Sequence, residues 1–99
     1  MAIDVEWRDE RGGELGRSPV PWEDRMSGDT VRETSHCLQY IDPYGDTTFN
    51  QLQLPQLIRE MEQASSQIND SDLWQRAEQV LAFVRRCEDV HTYVKFIGD

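Results

Sequence analysis

Residues 54–87 read LPQLIREMEQASSQINDSDLWQRAEQVLAFVRRC, and their apolar side chains recur at intervals of three and four residues. This spacing predicts two amphipathic helices, with apolar stripes from Leu54 to Ile68 and from Leu73 to Cys87. Pro55 suits a first helical turn, and the capping residues 69–72 favour the start of a second helix, which we expect to be the longest element. The solvent side of the first helix is expected to carry Arg59, Glu60, Glu62 and Gln63.

Strands are predicted on both sides of this helical pair. Polar and apolar residues alternate over residues 2–8, as in a strand with one buried face. A tight turn at Gly12-Gly13 and a short strand over residues 14–17 are expected next. Residues 91–97, HTYVKFI, are aromatic and β-branched, so we expect them to add a last strand to the same sheet.

A β-hairpin is predicted before the first helix. Strand character begins at Val31 and is clearest over residues 36–41, and residues 42–45, DPYG, have the composition of a type I turn. Residues 46–49 would return as an antiparallel strand. The order β-(β)-β-β-α-α-β predicts one α+β domain over residues 1–99, a mostly antiparallel sheet of four or five strands with two helices packed on one face. Strand order is left open.

The chain is strongly acidic. It carries 19 Asp and Glu against 10 Lys and Arg, a formal charge of −9 over 99 residues. Such a chain attracts basic partners and repels polyanions, so we expect no direct nucleic-acid binding. No apolar run approaches the ~20 residues that span a bilayer, the first residues lack a secretory pattern, and two cysteines do not make a disulfide framework. We therefore expect a cytoplasmic protein that does not bind membranes. The sequence leaves open whether it forms homo-oligomers.

Residues that could carry metal or covalent chemistry are few. The only histidines and cysteines are His36, Cys37, Cys87 and His91. Neighbours on a predicted strand point to opposite faces, so His36 and Cys37 should not share a metal, and both cysteines are expected in the core. Asp42 and Asp46 flank a turn that lacks the other ligands of a calcium loop. We predict no metal, no cofactor and no catalytic residue.

Surface loops are the expected contact sites of this chain. Residues 18–29 form the longest irregular stretch, and Trp22 within it either closes the open side of the sheet or anchors a partner. The predicted partner-binding residues are Trp22, Glu23, Asp24 and Asp29 in that loop, and Asp42, Tyr44 and Asp46 at the hairpin tip.

Three hypotheses for the function follow. The favoured one is a small acidic inhibitor or immunity-type protein, not an enzyme, that binds a basic protein such as a toxin or nuclease. The alternatives are a regulatory module that holds a small molecule beside Trp7, Trp22, Tyr40 or Tyr44, and, last, a small enzyme. The favoured hypothesis requires carboxylates to converge into one surface patch; the competing interpretation is that the charge only maintains solubility.

Overall fold

The computed structural model describes residues 2–28 and 35–98. The strands are β1 Ala2–Asp9, β2 Glu14–Arg17, β3 Trp22–Glu23, β4 Asp46–Phe49 and β5 Thr92–Ile97. The helices are α1 Asp24–Ser27, α2 Leu54–Ser66 and α3 Ser71–Arg85, with a 3-10 turn at Leu38–Tyr40. The predicted α+β fold is confirmed. At 15 residues, α3 is the longest of these elements, and the Asp70 carboxylate caps it by accepting from the N–H groups of Asp72 and Leu73.

The sheet is antiparallel, and its strand order is β2-β1-β5-β4, with β3 pairing separately with the start of β1. The last strand therefore lies inside the sheet, between the first strand and β4. Val5 pairs with Phe96 and Trp7 pairs with Val94, so the apolar positions of the two central strands are in register on the same face.

The core lies between this face and helices α2 and α3. Ile3 and Val5 from β1 and Val94 and Phe96 from β5 are buried there, and Phe96 meets Phe49 of β4 edge to face, with ring centroids 5.7 Å apart. The helices contribute Leu57, Met61, Ala77, Val80, Leu81 and Val84. Two apolar helical stripes and an alternating sheet face thus account for the two layers. No helix of the described segments combines the length and the apolarity needed to cross a bilayer.

The predicted hairpin is wrong, although its turn is right. Residues 42–45 form a turn in which the Gly45 N–H donates to the Asp42 carbonyl, but β4 pairs with β5. Residues 36–41 contain the 3-10 turn, and residues 31–34 lie outside the described part of the chain.

The physical reason is a buried carboxylate. Glu60, expected on the solvent side of α2, is only 4% exposed and accepts hydrogen bonds from the N–H groups of His36, Cys37 and Leu38 at 2.9–3.0 Å. Three consecutive N–H groups that converge on one side chain cannot form a strand ladder. Glu60 therefore determines the backbone conformation of the 3-10 turn.

Part of the stretch predicted to be irregular is ordered. Trp22 and Glu23 pair with Ile3 and Ala2 of β1, and residues 24–27 form the single helical turn α1. Glu23 precedes this turn as its cap residue, and its backbone N–H donates to the Met26 sulfur at 3.3 Å. The strand pairing and the cap position explain why proline-rich neighbours do not prevent local order here.

Candidate functional site

On the solvent-facing side of the sheet, arginine and lysine side chains neutralise the acidic ones. Glu6 is 1% exposed there, because Arg8 and Arg17 both form ion pairs with its carboxylate. Lys95 pairs with Glu6 across the strands, and its ammonium lies 3.3 Å from Asp46. Burial acts to raise the pKa of Glu6, but the hydrogen bonds and positive charges of the two arginines outweigh it and hold that pKa below its usual 4.5. This face does not present the acidic patch that the hypothesis requires.

The predicted partner-binding loop is largely structural. Trp22 is 1% exposed and its indole N–H donates to the Ser27 hydroxyl at 3.0 Å, so it belongs to the core and not to a contact surface. Glu23 forms ion pairs with Arg25 and Arg76, which tie β3 and α1 to α3. Asp24 is exposed, and Asp29 lies outside the described residues.

The predicted turn lies at the surface and is held by hydrogen bonds. The Tyr44 N–H donates to the Asp42 carboxylate at 2.8 Å, and the Gly98 N–H donates to the Gly45 carbonyl at 2.8 Å. A Cβ atom on Gly98 would lie 2.4 Å from the Pro43 carbonyl, so only glycine allows the end of β5 to approach the turn this closely. Tyr44 is 72% exposed, and Asp46 is exposed but paired with Lys95.

The two segments predicted to bind a partner, residues 22–24 and residues 42–46, lie at the same end of the sheet. Glu23 pairs with Ala2 of β1, and Ile97 of β5 pairs with Asp4 on one side and Asp46 on the other. Three strand spacings, roughly 14 Å in total, separate β3 from β4. The structure thus brings these residues to one end, but cations already compensate Glu23 and Asp46.

The opposite end of the sheet, not predicted from the sequence, holds a different set of acids. We call it the loop end, defined as residues 9–13, 50–52 and 88–91. Asp9 pairs with Thr92, and His91 Nδ1 lies 3.8 Å from Glu10 Oε2, so the first turn and the connection from α3 to β5 are adjacent. The loop end contains Asp9, Glu10, Glu88 and Asp89 against one formal cation, Arg11.

Among residues 2–28 and 35–98, no arginine or lysine forms an ion pair with a carboxylate of the loop end. The Asp9 carboxylate accepts from the backbone N–H groups of Arg11 and Gly13 at 2.9 and 2.8 Å. Within the described part of the chain, Glu88 and Asp89 have no Lys or Arg nitrogen within 4 Å of their carboxylates. The loop end is therefore locally negative around Glu88 and Asp89. On the side of Asp9 and Glu10, the Arg8 guanidinium donates to the Gly12 carbonyl at 2.6 Å.

Exposed apolar side chains accompany these acids. Leu52 is 91% exposed and Val90 is 76% exposed. Between residues 88–90 and α2 lies a cleft of about 330 Å³. It is lined by Gln51, Leu54, Pro55, Ile58, Glu88, Asp89 and Val90. An apolar cleft with a carboxylate rim has the composition of a protein-contact surface.

A network of hydrogen bonds holds the loop end together. The Gln51 side-chain amide donates to the Cys87 carbonyl at 2.8 Å and to the Thr92 hydroxyl at 2.9 Å. The Thr92 hydroxyl in turn donates to the Asp89 carbonyl at 2.5 Å. Residues 50–52 and 88–91 therefore keep a fixed relative position, which lowers the entropic cost of binding.

The described residues do not assemble a metal site. No group of three or more potential metal ligands occurs among residues 2–28 and 35–98. The aromatic residues expected beside a small molecule differ in exposure. Trp22 is inside the core, Trp7 is partly buried against it, and Tyr40 and Tyr44 face solvent.

Both cysteines are expected to resist alkylation in the native protein. Cys37 and Cys87 are free and buried, as the sequence predicted. Burial raises the pKa of both thiols, and that of Cys87 to about 12, so almost no thiolate is present at neutral pH. Mass spectrometry after iodoacetamide treatment should detect modification in urea and little in buffer. Rapid native alkylation of Cys87 would contradict its placement in the core.

No family model, no curated protein and no solved structure matches this chain.

Proposed function

We propose that this protein is a small acidic interaction domain that binds a basic protein partner and catalyses no reaction. It would act as an inhibitor or immunity-type protein by covering a positively charged surface of that partner, such as that of a toxin or nuclease. A cytoplasmic location is part of the same proposal.

The loop end is the observation that carries this proposal. Most acids of the open sheet face are compensated by arginine or lysine, whereas in the part of the chain that the structure describes no arginine or lysine pairs with Glu88 or Asp89 on the loop end. Uncompensated carboxylates on a rigid surface steer a basic partner during encounter, and this raises the association rate. Binding and covering require only complementary surfaces, so the proposal needs no reactive group.

The proposal predicts a salt-sensitive complex with a basic protein. The tagged domain should retain such a protein from native lysate at low ionic strength and release it at high salt. A resin that carries an unrelated domain of similar size and net charge controls for ion exchange. With the purified pair, calorimetry should show an affinity about tenfold weaker at physiological than at low ionic strength, because exposed charge pairs are screened. A purified partner whose affinity does not depend on salt would contradict the proposal.

A further inference from the structure

We infer that the loop end binds an amphipathic basic segment of the partner. An apolar side chain of that segment enters the cleft beside α2, and its lysine or arginine side chains pair with Glu88 and Asp89. The choice of a basic partner rests on the proposed function, whereas the apolar anchor rests on the cleft and is tested separately.

The cleft has the size and the lining for an apolar anchor. Its volume is about 330 Å³, and Leu54, Pro55 and Ile58 of α2 form its apolar side. A dry cavity of only ~150 Å³ already accommodates benzene, so this open cleft has enough volume for a leucine, methionine or phenylalanine side chain. Val90 also lines this cleft, and it shares with Leu52 the lining of a second cleft of about 360 Å³.

The exposure of Leu52 and Val90 supports the same inference. A single exposed aliphatic residue is ordinary on a protein surface. Here two of them lie on neighbouring loops that Gln51 fixes through its bonds to Cys87 and Thr92, so they extend the apolar surface of the cleft. A preorganised apolar surface with a polar rim is the usual centre of a protein interface.

The charge of the chain favours a foreign segment over a second copy of this chain as the occupant of the cleft. Each copy carries −9, and a contact between two loop ends would bring their uncompensated carboxylates together. Like charges in a contact oppose association, whereas lysine and arginine beside an apolar anchor complement Glu88 and Asp89. The occupant is therefore a basic amphipathic segment.

The test uses a fluorescently labelled synthetic peptide of leucine and lysine with an amphipathic helical pattern, and an oligolysine of equal charge. The binding of both peptides is measured by anisotropy for three forms of the whole protein. These are the native chain, the double variant Leu52→Gln/Val90→Thr, and the control Leu15→Gln, which removes an exposed leucine from β2. Thermal unfolding verifies that the variants fold.

The expected affinities distinguish the contribution of the apolar anchor to binding from that of the charge. The amphipathic peptide should bind the native chain more tightly than oligolysine does. The double variant should bind the amphipathic peptide about tenfold more weakly than the native chain, because about 1.4 kcal/mol of apolar burial is lost. Oligolysine should bind the native chain and the double variant equally, and Leu15→Gln should change neither affinity. Backbone amide NMR shifts should move at residues 51–58 and 88–91.

Three other outcomes would overturn the inference. If both peptides bind equally and the double variant has no effect, the apolar anchor is wrong while charge-driven binding stands. If neither peptide binds at low ionic strength, the proposed function fails together with the inference. If sedimentation shows a concentration-dependent dimer that the double variant abolishes, the surface belongs to a second copy.

Discussion

Replacing Glu60 by alanine is expected to lower the free energy of unfolding by about 3 to 5 kcal/mol. Its buried carboxylate accepts from three consecutive backbone N–H groups and from the Gln56 side-chain amide at 2.7 Å. Alanine would leave the N–H groups of His36, Cys37 and Leu38 without their acceptor, and a buried unsatisfied donor is costly. Urea denaturation followed by tryptophan fluorescence measures the loss.

Glu62 supplies the matched control for Glu60. It lies two residues further along α2, is exposed, and pairs with Arg85 at 3.0 Å. Because exposed ion pairs contribute little, Glu62→Ala should cost less than about 1 kcal/mol. Equal losses for the two variants would contradict the structural role of Glu60.

The pH dependence gives a second measure of the same site. Burial acts to raise the pKa of Glu60, but the hydrogen bonds from Leu38, Gln56, His36 and Cys37 outweigh it, and the pKa lies below 4.5. A carboxyl with a lowered pKa in the folded state stabilises the protein above its unfolded pKa, and this contribution disappears as pH falls through the folded pKa. The stability difference between the native chain and Glu60→Gln should therefore shrink below about pH 4.5. A difference that grows on acidification would contradict this account.

Trp22→Ala is expected to destabilise the protein by about 3 to 5 kcal/mol, because it empties a large buried site. The same change also removes the hydrogen bond from the indole N–H to Ser27. Trp22→Phe, which retains most of the apolar contact, should cost about 1 to 2 kcal/mol. Thermal or urea unfolding measures both values.

A second tryptophan provides the control for Trp22. Trp74 on α3 is exposed. Its replacement by alanine should cost about 1 kcal/mol or less, since it leaves no buried cavity. If Trp22→Ala retained full stability but lost partner binding, Trp22 would be a surface anchor, in contradiction to its buried position.

Elements whose signal is local were predicted from the sequence. The stripes of α2 and α3, the Asp70 cap, the turn at residues 42–45 and the alternation of β1 each depend on neighbours within a few residues. The insertion of β5 between β1 and β4 depends on how the whole chain packs. The 3-10 turn depends on Glu60, which is 22 to 24 residues away along the chain. Periodicity carries no information about such a partner.

The candidate site was less predictable for the same reason. Glu88 and Asp89 are ordinary solvated acids in the sequence, and only the pairing of β5 with β1 brings them to the end that holds Glu10. Exposed valine and leucine residues likewise carry no signal until their burial is known. By contrast, Trp22 was predicted to bind a partner because it is a large aromatic residue in an irregular stretch. Its pairing through β3 with β1 was not evident from local composition.

The association rate of the identified partner with a loop-end variant tests the central claim most directly. Glu88→Gln/Asp89→Asn removes two uncompensated charges, and Glu14→Gln/Glu62→Gln removes the same charge from exposed positions that pair with Arg17 and Arg85. At low ionic strength, stopped-flow mixing should show association about tenfold slower for the loop-end variant and within about twofold of the native rate for the control. Equal rates for the two variants would contradict a docking role for the loop end.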